Sequence, residues 1–313
     1  MPPASRSVSQ IIEMLQAGSR PSSVQMTALS DLSPEDAARM GTIWPGVAQP
    51  LRLDLAARAR ELAEDNADLH FGALGRIALG DLDPAVQRFA IDALWESEDR
   101  MTGAELGRVL LTDPDNSVRA AAASALGPFV LRRELVDADP PGDALVEALR
   151  TAASDSEPSA DVRARAIESL GPRTLPWVEE LINSAYYDDD RRLRLAAIRA
   201  MGGTARDEWV DVLAEQARSD DPEYRYETAL ALGQIGSDAS IDLLVELAED
   251  DDPEVMVAAL GALGGVGGPD VIERLKDLGQ GAPPHIQEAI AAAIEAATYL
   301  EDRDLLVGKI GLG

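Results

Sequence analysis

The sequence predicts an all-α fold, a right-handed α-solenoid (superhelix) of about seven to eight short helical hairpins. Three observations carry that expectation: a residue pattern recurs at a near-constant step, each copy opens with a helix-start signal, and the apolar content is alanine-rich with only 4% aromatics. The stretch 220–250, DDPEYRYETALALGQIGSDASIDLLVELAED, shows the unit. Asp221 is a good N-cap, Pro222 suits the first helical position, and Gly233 is placed to stop the helix. A second helix starts near Ser237 and aligns Ile241, Leu244, Val245 and Ala248 on one face. Two helices this short bury little alone and need copies of themselves above and below.

The copies are present. With Tyr224 as position zero, equivalents stand at Val86, Val118, Val162, Leu193, Val255 and Ile286, and the steps in chain order are 32, 44, 31, 31, 31 and 31 residues. Position eight is Leu94, Leu126, Leu170, Met201, Leu232, Leu263 or Ile294. Position four is Ala90, Ala122, Ala166, Ala197, Thr228 or Ala259, with Ile290 in the last copy, and position seven is alanine everywhere except Ser169. At about 100° per residue these positions share one helical face, and their small size lets helix axes approach closely. Asp83, Asp115, Asp190, Asp221 and Asp252 sit three residues before position zero as caps, and Pro84, Pro222, Pro253 and Pro284 follow as starters. Gly127, Gly171, Gly202, Gly233 and Gly264, at position nine, read as helix stops.

Two regions leave the period. The long step places its excess in 128–142 (PFVLRRELVDADPPG), read as an extra helical turn or two and a proline-rich loop. Residues 1–65 read as an N-terminal helical cap, with helices at Ser7–Ala17, Pro34–Ile43 and Pro50–Glu64. Its last two helices read as a degenerate first repeat, since Leu55 lies 31 residues before Val86. The repeat solenoid then occupies 66–299, and 300–313 form a glycine-punctuated tail.

Composition narrows function. The formal charge is −28, from 56 acidic and 28 basic residues, which argues against nucleic-acid backbones and anionic membranes as partners. Lys276 and Lys309 are the only lysines; the low lysine and the excess of aspartate over glutamate fit high-salt adaptation and a GC-rich coding bias equally. There is no cysteine, so disulfides and thiolate metal sites are excluded. The N-terminus lacks the apolar core of a secretory signal, and a cytoplasmic protein is expected. No catalytic, cofactor or metal residue is assigned. The two histidines, His70 and His285, are far apart in repeat number. Asp113, Asp115 and Ser117 begin like a calcium loop, but Val118 stands at the glycine position and Ser124 at the final glutamate. The acidic runs 188–190 and 249–252 precede helix N-termini, where capping is the expected role. Residues 261–268 (GALGGVGG) close a helix and do not form a phosphate loop. Trp44, Trp95, Trp177 and Trp209 are expected to pack at helix ends.

The motif D-P-x-V-R-x-x-A-x-x-A-L-G, as in 115–127 (DNSVRAAAASALG), resembles the short HEAT-like repeat, including the version in phycobilin lyase subunits. The resemblance spans 66 to about 297. It implies scaffolds, adaptors and a few enzymes. It also implies a ladder in which the arginine after position zero pairs with the cap aspartate; Arg119, Arg163, Arg194 and Arg225 match, whereas Gln87, Met256 and Gln287 interrupt it. HEAT-repeat di-iron hydroxylases use His-Glu pairs, but His70 precedes Phe71 and His285 precedes Ile286. HEAT-like DNA glycosylases need a basic concave face, which the net charge opposes. The expected function is a non-enzymatic scaffold that binds a protein or peptide on its concave face. The alternative is a bilin-lyase-like or chaperone-type enzyme subunit with a small-molecule site.

In related solenoids the second helices line the concave surface, where positions two, three and six remain open. These positions give a partner strip of Leu195, Tyr226, Leu230 and Val257, bordered by Arg199 and Glu227. The strip is expected to face solvent, with Tyr226 as its main anchor.

Overall fold

The computed structural model describes residues 3–94, 100–136 and 141–310. Every regular element among them is helical, and no helix is long and apolar enough to cross a membrane. The chain divides into two compact units, Met1–Ser169 and Leu170–Gly313.

The first unit begins with α1 (Pro3–Gln16), the short α2 (Ser23–Met26), α3 (Pro34–Ile43) and α4 (Gln49–Asp65). The pairs α5 (Gly72–Leu79) with α6 (Pro84–Ala93) and α7 (Arg100–Thr112) with α8 (Asn116–Ala125) follow. The unit closes with α9 (Gly127–Val136), α10 (Pro141–Ala152) and α11 (Ala160–Leu170). The second unit holds four hairpins: α12 (Pro176–Tyr186) with α13 (Arg191–Gly203), α14 (Val210–Gln216) with α15 (Pro222–Ile235), α16 (Ile241–Leu247) with α17 (Pro253–Val266), and α18 (Pro269–Leu278) with α19 (Pro284–Ile310). Each second helix packs on the next, α13 on α15, α15 on α17 and α17 on α19.

The capping signals act as expected. The carboxylates of Asp83, Asp115, Asp190, Asp221 and Asp252 each accept a first-turn backbone N–H of α6, α8, α13, α15 and α17. Such a cap is worth about 1 kcal/mol. Positions zero, four and eight are buried from α6 to α17; in α19 Ile286 and Ile294 are only half-buried.

Of the glycines at position nine, Gly171 directly follows the end of α11 at Leu170, but the others are not stops. Gly202, Gly233 and Gly264 lie inside α13, α15 and α17, and Gly127 begins α9. Instead, α15 ends at Gly236, which adopts the left-handed conformation (φ 66°). Position nine is where neighbouring helices touch. A Cβ on Gly233 would lie 2.6 Å from the Cβ of Ala262, one on Gly202 2.7 Å from the Cα of Ala231, and one on Gly264 3.1 Å from the Cα of Ala293. In each case glycine nine of one helix meets alanine seven of the next.

The polar ladder also differs from expectation. Its acid is not the cap but the residue two before it. Asp250 accepts from Arg225 Nε (2.6 Å) and Nη2 (2.8 Å) and from the backbone N–H of Asp252 (2.9 Å). Glu157 likewise takes Arg119 Nη1 (3.1 Å) and the N–H of Ser159 (3.0 Å). Gln87, expected to break the ladder, carries a rung by donating to Asp113 (2.8 Å), whose carboxylate also accepts the N–H of Asp115. In the next repeat Ser219 stands at the acid's place and its hydroxyl accepts the N–H of Asp221, while Arg194 Nε donates to the Tyr224 hydroxyl (2.8 Å). Arg163 donates to Asp155 at 2.6 Å.

The first rung resets the register of the N-terminal repeat. Arg52 Nε donates to Asp81 (2.7 Å), as does the indole N–H of Trp44 (2.7 Å). Arg52 stands four residues after the α4 N-cap Ala48, as Gln87 stands four after Asp83. Leu51, not Leu55, therefore occupies position zero, with Leu55, Ala56 and Ala59 buried where Ala90, Ile91 and Leu94 are buried in α6. The error is one helical turn, which an apolar spacing of three and four cannot resolve.

The excess in the long step forms a ten-residue helix, α9, with Phe129 and Val130 buried, rather than a turn or two. The proline-rich loop expected after it includes 137–140, outside the described residues. In the N-terminal section α3 has the expected bounds, α1 begins earlier than expected, and α2 was not anticipated.

Candidate partner-binding face

The seams fix how each second helix of the second unit is oriented. Positions zero, four and eight are buried, position seven faces the preceding helix and position nine the following one. Positions two, three and six are left on the remaining side, with two leaning forward and three leaning back, as 100° per residue requires.

The structure brings Arg199 and Glu227 together. Arg199 Nη2 lies 2.5 Å from Glu227 Oε1, an ion pair across the α13–α15 seam. Leu195, expected to face solvent, is only 4% exposed. Two features account for this. Eight residues of α13 are buried, distributed around the helix, as befits a helix with neighbours on several sides. Leu195 also leans toward α15, where position three is the long Glu227 held by Arg199. The next helices carry alanine at position three, Ala258 and Ala289. Accordingly Tyr226 is half-buried and Val257 is 56% exposed. Leu230, at position six of α15, is 37% exposed. Tyr226, Leu230 and Val257 thus form an open apolar surface on two adjacent helices, and Leu195 belongs to the interior beside it.

Electrostatics harden the opposite edge. The side-chain hydrogen bonds of Asp221 and then Glu223 raise the Arg191 guanidinium above its ordinary pKa, and Arg191 lowers that of Asp221 in turn. The Arg225 guanidinium holds the Asp250 carboxyl below the usual aspartate value. The acidic runs serve the cap and ladder positions: Asp188 accepts the N–H of Asp190, and Asp250 that of Asp252. Among the described residues no cluster of three histidine or carboxylate side chains is placed to hold a metal ion. Trp44 and Trp209 are buried at helix ends; Trp95 lies outside the described residues.

The first unit has a separate cleft of about 500 Å³, lined by Arg60, Glu64, His70, Phe71 and Asp92 among others. The Arg60 guanidinium stacks 5.7 Å from the Phe89 ring centroid and lies 3.5 Å from Asp92. Sequence reasoning missed this cleft because no local motif marks its lining residues.

Sequence profiles of HEAT repeats match residues 73–171, 178–254 and 210–295. No curated protein matches the chain. Among solved structures, the chain is similar to Escherichia coli YibA, at 19% identity and TM-score 0.43 over 78% of this chain and 96% of that one. It is also similar to human deoxyhypusine hydroxylase, at 18% identity and TM-score 0.35 over 96% and 100%. Kap121p matches at 14% identity and TM-score 0.47, over 96% of this chain and 39% of that one. At these values the neighbours carry no inference about activity or partner. With well over half of the sequence covered by matching repeats, this chain belongs to the HEAT-repeat family.

Proposed function

We propose that the protein is a non-enzymatic scaffold or adaptor that holds a protein partner on the open face of α13, α15 and α17. One observation supports the reading above the others: Leu230 and Val257 are exposed on adjacent helices, beside Tyr226, in a protein carrying −28 charges. Scattered exposed apolar residues need no explanation, but a contiguous set on one repeat face marks a contact surface. The Arg199–Glu227 pair fixes one border of that surface and Tyr226 supplies a large side chain with few rotatable bonds. In this reading the protein works in the cytoplasm, residues 1–65 cap the repeat array, and 300–313, of which 300–310 continue α19, form its tail.

The test is capture of the native partner by the full chain, followed by identification by mass spectrometry. Tyr226→Ala and Val257→Asp should each reduce capture at least tenfold with helical content and melting unchanged. Capture undiminished in both variants refutes the reading. A photocrosslinker at position 257 that reaches the same partner supports it. The lyase-like alternative would seat a small molecule in the cleft at Arg60, His70 and Phe71. A coloured or small-molecule adduct that co-purifies with the chain and is lost in His70→Ala would favour it.

A further inference from the structure

Two kinds of glycine occur in the second helices. Gly202, Gly233 and Gly264 face the next helix, and a Cβ there meets atoms between 2.6 and 3.1 Å away, so the packing requires them. Gly261 and Gly265, both in α17, have nothing within 4 Å of where a Cβ would stand, and both are exposed. Neither has a positive φ. Glycine inside a helix is destabilising relative to alanine, and nothing within the chain compensates at Gly261. With Val257 they line the exposed side of α17 at spacings of four residues, between α15, where Leu230 is exposed, and α19, where Glu288 and Ala292 are exposed.

The charge around this side of α17 has one sign. Glu254 at the start of α17 and Glu288 on α19 are exposed and have no ion-pair partner among the described residues. On α13, beyond α15, Arg199 is paired with Glu227 and Arg192 with Asp190. An apolar, backbone-smooth surface suits a rod that approaches closely along its length, and an α-helix with small and aliphatic residues on one face has that shape. The unpaired carboxylates call for lysine or arginine on its flanks. A second copy of this chain, itself at −28, is the wrong sign.

We propose that the surface formed by Val257, Gly261 and Gly265 receives an amphipathic α-helix with basic flanks, packed lengthwise on α17. The proposal rests on the reading of the open face as a partner surface and names the partner's class. α17 has 14 residues, so the contact length is about 21 Å.

The experiment uses the full chain and two fluorescein-labelled amphipathic peptides of about 20 residues, of the length that spans such a contact. Both have a leucine and alanine face; one has lysine flanks, the other glutamate flanks. Fluorescence anisotropy should show the lysine peptide binding at least tenfold tighter. Gly261→Leu should weaken that binding at least tenfold without lowering the melting temperature, and Gly261→Ala should weaken it less. Equal affinity for the two peptides overturns the proposal. So does binding that is indifferent to Gly261→Leu, which is the signature of adventitious attraction to an acidic surface. A dimer in sedimentation that Gly261→Leu dissolves would assign the surface to a second copy and overturn it too. Loss of the native partner in Tyr226→Ala and Val257→Asp, but not in Gly261→Leu, would leave the open-face reading standing and remove this one.

Discussion

Alanine in place of Gly233 tests the seam between α15 and α17 directly. The new Cβ would stand 2.6 Å from the Cβ of Ala262 and 3.1 Å from its Cα, against a comfortable carbon–carbon separation of about 3.5–4.0 Å. The obstacle is a methyl and main chain, not a flexible side-chain end, so the two helices must part by about 1 Å. Overpacking of this kind costs roughly 1–3 kcal/mol. Alanine recovers about 0.5–1 kcal/mol of helix propensity. The net expectation is destabilisation centred on about 1 kcal/mol and reaching about 2.5 kcal/mol, from the difference of those two. Gly261→Ala is the matched control: the same helix-propensity gain with open space around it should stabilise by about 0.5–1 kcal/mol. Urea unfolding followed by circular dichroism gives the sign for each. Amide exchange in α15 and α17 localises it, since repeat arrays need not unfold all at once. A Gly233→Ala protein as stable as the wild type, or equal shifts at 233 and 261, would refute the close seam.

Two further outcomes follow from the ladder. Asp250→Ala removes the acceptor of three hydrogen bonds and strands the half-buried Arg225, so it should cost about 2–3 kcal/mol. Arg218→Ala, which breaks the exposed Arg218–Glu246 pair, should cost under about 1 kcal/mol; comparable losses in a denaturation series would contradict the ladder's role. The second outcome concerns pH. Arg225 lowers the folded-state pKa of Asp250, so the carboxylate's contribution is present above the unfolded aspartate value of about 3.9 and lost as pH falls through the lower folded value. The stability gap between wild type and Asp250→Asn should therefore be full near pH 6 and shrink below about pH 4. A gap that widens on acidification would show the sign to be wrong. Taking the difference removes the general relief of self-repulsion that acid brings to so acidic a chain.

The capping aspartates and the buried positions were legible because both are local signals: a short polar residue before a proline, and apolar residues at three- and four-residue spacing. The seam glycines were not. A glycine after eight helical residues looks the same whether it ends the helix or admits a neighbour, and only the alanine 29 residues later, as Ala262 follows Gly233, distinguishes the two. The ladder acids did leave a trace, an acid two residues before five of the caps, at Asp81, Asp113, Glu157, Asp188 and Asp250, with Ser219 before Asp221 the exception. Reading the cap alone passed over it. Of the strip expected to face solvent, Leu230 and Val257 are exposed, Tyr226 is half-buried and Leu195 is buried, because burial there depends on the length of the residue across the seam. Glu227 and Ala258 occupy equivalent positions, and their different reach is invisible to a rule that treats one helix at a time. The unpaired state of Glu254 and the empty space at Gly261 required coordinates altogether.

Each of α13, α15 and α17 carries both halves of a seam, alanine at position seven and glycine at position nine. The unit is therefore interchangeable in a literal sense. Excising 207–237 would join Arg206 to Asp238, the equivalents of one another's neighbours 31 residues apart, and bring Gly202 opposite Ala262 as it now stands opposite Ala231. Arg191 would find Asp252 and Glu254 where it now finds Asp221 and Glu223. Length in this protein is thus a quantity that genetic duplication or loss can change in whole steps without redesigning a joint. Each step would widen or narrow the exposed face by one helix while every remaining seam keeps its glycine and alanine.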